Sequence, residues 1–73
     1  MNNHDTAVHM IETEIATIPT TAFPAEAGSV CRMAIFLAQR LDAITAAERD
    51  AYLKKVRGLE LTRFVELLKG EAA

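Results

Sequence analysis

The sequence predicts an all-α fold. The expected form is a small three-helix bundle over about 29–44, 46–57 and 60–69, preceded by an N-terminal helical or extended segment at about 6–18. Three observations support it. Ser29–Ile44, SVCRMAIFLAQRLDAI, is the most apolar run, and its Val30, Met33, Ala34, Leu37, Leu41 and Ile44 recur at helical spacing. Thr45-Ala-Ala-Glu48 has the threonine-to-glutamate spacing of a capping box, which marks a helix start. Beyond it, Tyr52, Leu53, Val56, Leu61, Phe64, Val65 and Leu68 keep the three-and-four spacing of apolar helix faces.

Taken in order, Met1–Asp5 is polar and expected to fray. The next stretch supports two readings. Val8, Ile11, Ile15 and Ile18 form a helical seam that Asp5 can cap. Ile11, Thr13, Ile15 and Thr17 also alternate as one face of a strand, in a segment rich in β-branched residues. A helix is favoured, because no second strand-like run exists to pair with it. Residues 19–28 read as a connector, with Pro19, Pro24 and Gly28 as breakers. The alternative places Pro24 in the first helical turn, with Glu26 near the positive helix end and Gly28 tolerated inside.

The central helix is expected to hide the face of Met33, Leu37 and Leu41, with Ile35 and Phe36 falling off it. Being apolar on more than one side, it calls for cover from more than one direction. Gly58 fits a left-handed cap between a second and a third helix, after the basic cluster Lys54, Lys55 and Arg57. Gly70 closes the last helix, leaving 70–73 as a frayed tail.

Composition bounds the function. Seventy-three residues make a single small domain, 1–73, and 51% of them are apolar, more than so short a chain readily buries. The surplus suits a partner surface or a homodimer. A net charge of −2 gives no global attraction to nucleic acid or acidic membranes. The charge is unevenly spread: residues 1–28 hold Asp5, Glu12, Glu14 and Glu26 without a Lys or Arg, and all eight basic residues follow. A single cysteine, no secretory leader and no run long enough to span a bilayer fit a cytoplasmic protein.

The residues offer little chemistry. His4 and His9 are five apart, where metal ligands on a helix want three or four. Cys31 lies on the apolar helix, away from any base, and reads as a buried thiol. Without a glycine-rich phosphate loop or a paired-acid site, no catalytic residue, cofactor or metal is expected. The helices around Gly58 have the outline of a helix-turn-helix, which makes a DNA-binding repressor the alternative function. The second helix, ELTRFVELLK, argues against it, since Arg63 and Lys69 are balanced by Glu60 and Glu66 and no Asn or Gln is present to read bases.

From MNNHDTAVHMIETE to LTRFVELLKGEAA the chain resembles small phage-encoded transcription regulators that bind bacterial RNA polymerase, such as the inhibitors and antiterminators of lytic Xanthomonas phages. The resemblance covers the whole chain through its length and general character. It implies binding to the N-terminal region of the polymerase β′ subunit near the β flap, hindered promoter initiation and suppressed termination, in the host bacterial cytoplasm. Direct sequence-specific contact with nucleic acid is not expected, nor is a membrane. The contact residues expected from exposure arguments are Val8, Ile11, Ile15, Arg32 and Arg40; the other reading of the seam Val8, Ile11, Ile15 and Ile18 folds it back to cover the central helix. A homodimeric phage accessory or anti-defence protein is a further alternative.

Overall fold

A computed structural model describes residues 2–70. Among these described residues three helices follow one another: α1 (Asn3–Ile15), α2 (Pro24–Arg40) and α3 (Ala46–Leu68), with a 3-10 turn at Ile18–Thr20 between the first two. The all-α three-helix bundle is as expected, but the helices are cut from the chain at different places.

The N-terminal segment is the first helix of the bundle. The Asp5 backbone N–H donates to the Asn2 side-chain oxygen at 2.8 Å, so Asn2 is the cap and Asn3–Asp5 are helical instead of frayed. Of the other ends expected to fray, residues 1 and 71–73 lie outside the described residues. The β-branched residues that suggested a strand are accommodated locally. The Thr13 hydroxyl donates to the His9 carbonyl and the Thr17 hydroxyl to the Glu14 carbonyl, both at 2.7 Å.

The connector is shorter than 19–28, because α2 begins at Pro24. Proline costs nothing in the first turn, where its missing N–H has no partner anyway. The helix stops at Arg40, four residues before the expected end. Asp42 takes a left-handed φ of 59°, and the Ala43 N–H reaches back to the Ala38 carbonyl at 2.9 Å. That is the long bond of a Schellman stop, with aspartate in the place glycine usually holds.

The capping box at Thr45 is formed. The Glu48 N–H donates to Thr45 Oγ1 at 3.1 Å, and the Thr45 N–H to Glu48 Oε1 at 2.8 Å. The break expected at Gly58 is absent: α3 runs unbroken to Leu68 and ends at Gly70, whose φ is 73°. The expected helices 46–57 and 60–69 are one helix. Glycine inside a helix costs about 1 kcal/mol, which tertiary contacts on both sides of it outweigh. Before Gly58, Val56 is fully buried. After it, Arg63 donates to the Thr21 carbonyl at 2.7 Å and Glu60 takes both terminal nitrogens of Arg32, at 2.6 and 3.3 Å.

The core is Ile11, Ile15 and Ile18 from the N-terminal third, Cys31, Ile35 and Ala38 from α2, with Ile44 and Val56. α2 packs against both other helices. Its inward face is therefore Gly28, Cys31, Ile35 and Ala38; of the face expected inside, Val30, Met33, Leu37 and Leu41 point out, Ala34 is half-buried and only Ile44, beyond the helix end, is buried. At Gly28 an added Cβ would overlap the Glu60 side chain, so a larger residue there would make Glu60 and its pairing with Arg32 shift.

Gly58 is exposed, and a methyl group there would meet nothing within 4 Å. Gly58→Ala should therefore stabilise the fold by about 0.5–1 kcal/mol through helix propensity alone. Urea denaturation reads this directly; a lower midpoint would mean that the helix is interrupted there.

Candidate protein-binding surface

α2 carries apolar residues around most of its circumference, and the chain covers only one side. Small groups face inward, so α1 and α3 approach closely. Outward, Met33 is 71% exposed, Leu41 69% and Leu37 57%, with Val30 and Phe36 beside them also exposed. Their spacing is the helical period seen in the sequence, presented to solvent. Met10 of α1, also exposed, extends the patch across a groove of about 850 Å³ between α1 and α2. Val30, Met33, Leu37 and Leu41 form one wall of that groove, and Met10, Thr13 and Glu14 the other.

The surface is presented by a braced scaffold. The ion pair of Arg32 with Glu60 joins α2 to the second half of α3. The guanidinium charge is held more firmly for it, chiefly through the hydrogen bond, against a smaller opposing effect of burial. At the other end, Glu48 has two tasks. One carboxylate oxygen caps α3, and the other meets His4 Nε2 at 2.7 Å, tying the start of α1 to the start of α3. The His4 imidazole is raised above its ordinary value of 6.5, mainly by the Glu48 hydrogen bond and then by its charge. Glu48 is lowered from 4.5, first by His4 and then by the Thr45 backbone.

The expected contact residues divide. Ile11 and Ile15 are in the core, so they hold the bundle together and offer nothing to a partner. The seam they belong to exists, but it turns inward against α2. Val8 is half-buried against the same core. Arg32 is half-buried and engaged by Glu60. Arg40 alone lies exposed on the outward side of α2. The patch is built by Met10, Val30, Met33, Leu37 and Leu41, none of them among the expected contacts. The signal for the true arrangement is the set Gly28, Cys31, Ile35 and Ala38, whose own three-and-four spacing marks a close-packing face.

Cys31 is buried, and burial, aided by the charges of Glu14 and Glu60, pushes its thiol up. It is therefore protonated and a poor nucleophile at neutral pH. Among the described residues, no group of three His, Cys, Asp or Glu is placed to hold a metal ion. Among them, too, no helix is long and apolar enough to cross a membrane. No family model, curated protein or solved structure matches this chain.

The His4–Glu48 contact makes stability depend on pH with a definite sign. A raised histidine stabilises the fold fully below its ordinary value, and this is lost as pH rises through the folded value. A lowered glutamate stabilises above its ordinary value, and this is lost as pH falls. Both contributions are complete between 4.5 and 6.5. Thermal melts at about pH 5.5 and about pH 8.5 should show the wild type losing more on the alkaline side than His4→Ala. Equal losses would mean the contact does not form.

Proposed function

We propose that this chain is a protein-binding regulator that acts by pressing the outward face of α2 against bacterial RNA polymerase, hindering promoter initiation and suppressing termination. The observation that carries the protein-binding part is the uncovered row Val30, Met33, Leu37 and Leu41. Contiguous apolar patches of this kind are costly in water and mark interaction surfaces on small proteins.

The choice of partner comes from the resemblance of the chain to phage-encoded polymerase regulators. The β′ N-terminal region near the β flap is the expected docking place. The structure is compatible with that assignment in one practical respect. A rigid helix that already displays its contacts binds without a large ordering cost, which suits so small an inhibitor.

The DNA-binding alternative loses its main support. The helix-turn-helix outline required a turn at Gly58, and α3 passes through it without one. A homodimer remains the second reading, since the same uncovered row would serve a second copy.

Immobilised chain should retain purified bacterial RNA polymerase, and Leu37→Glu and Met33→Glu should each weaken retention by about tenfold or more. Both positions are exposed, so circular dichroism should show an unchanged helix signal. Failure of the wild type to retain polymerase would overturn the partner; retention unaffected by either variant would overturn the surface.

A further inference from the structure

On the far side of α2 lies a second groove, of about 520 Å³, between α2 and α3. Its apolar walls are Phe36 of α2 and Leu61 and Phe64 of α3, all exposed, with half-buried Leu53 beside them. Three charged residues also line it. Arg32 and Glu60 neutralise each other through their paired hydrogen bonds, leaving Arg57. Arg57 is exposed, and among the described residues it has no carboxylate at ion-pair distance.

Lys54 adds to this. It stands three residues before Arg57 and seven before Leu61, so it shares their face of α3, and it too is exposed and unpaired among the described residues. The acid on the same stripe, Asp50, is engaged by Arg49 at 2.9 Å. The second groove is thus two aromatic rings and a leucine with uncompensated positive charge at one end. The first groove is different in kind, since among the described residues that line it there is no Lys or Arg and the acid is Glu14, with His9 beside it.

An occupant that complements this must carry a bulky apolar side chain and, about one helical turn away, carboxylates. Nucleic acid fits it poorly: two free cations neutralise few phosphates, and Glu60 lies within the groove. We infer that the α2/α3 groove is a second docking surface, for an acidic amphipathic protein segment whose apolar anchor sits against Phe36 and Phe64 and whose carboxylates meet Arg57 and Lys54. The chain then has two interaction faces of different charge preference, on the two sides of one helix. This inference does not depend on polymerase being the partner at the other face.

The test is a titration of the 15N-labelled full chain with a synthetic amphipathic helix of Leu, Phe and Glu, and with the same peptide in which every Glu is Lys. The acidic peptide should shift the amides of Phe36, Arg57, Leu61 and Phe64, and the basic one should bind at least about tenfold more weakly. Arg57→Glu, and independently Lys54→Glu, should weaken the acidic peptide by about tenfold with the rest of the spectrum unmoved. Leu37→Glu should leave it unchanged. Equal response to both peptides, shifts centred on Met33 and Leu41, no response at millimolar peptide, or the same shifts produced by a single-stranded oligonucleotide would each overturn the inference.

Discussion

The structure depends on how α2 divides its apolar residues. It has more of them than one packing face holds, and the rest of the chain supplies two helices and a turn to cover them. The division follows size. Gly28, Cys31 and Ala38 bring the neighbouring helices close, Ile35 fills the centre, and Val30, Met33, Phe36, Leu37 and Leu41 are left in water. Close approach gives dense packing per residue, which a domain this small needs. The cost is an exposed apolar row along the middle helix. The proposed function uses the surface that this packing leaves over.

Polar contacts hold that arrangement at three separate points. Glu48 joins the start of α1 to the start of α3, Glu60 joins α2 to α3 beside Gly28, and Arg63 joins α3 to the connector carbonyls. Each exposed ion pair taken alone is worth little. Their placement matters more, because they brace α3 along its length, including the half beyond Gly58. They add to the apolar packing of Val56 and Leu59, which lie on either side of Gly58. The same bracing keeps Phe64 and Leu61 opposite Phe36, so both grooves are features of the folded body.

Much of the fold is legible in the sequence. The capping box needs only Thr45 and Glu48, and the helical seam of Ile11, Ile15 and Ile18 is readable from spacing. Two things are not. Gly58 carries the local signature of a helix end, while the contacts that override it, Glu60 to Arg32 and Arg63 to Thr21, are made to residues far away in the chain. The inward side of α2 is also hidden, because periodicity locates faces and says nothing of which one is covered. The greater number of large side chains favours the wrong face; glycine, cysteine and alanine at the same period mark the right one. The candidate surface is obscured for the same reason. Its residues have the spacing of a core, while Ile11 and Ile15, whose seam reads equally as a partner contact or as cover for the central helix, take the core positions.

The most direct measurement is a comparison of two truncations two residues apart, on opposite faces of α2. Ile35 is fully buried and Leu37 is 57% exposed. Ile35→Ala should cost about 2–5 kcal/mol in denaturant unfolding, as loss of a buried branched side chain does, while Leu37→Ala should stay within about 0.5 kcal/mol of wild type. The reverse order, with Leu37 costly and Ile35 tolerated, would show that α2 presents its other side to the core and would contradict the division of faces on which the fold and the proposed surface both rest.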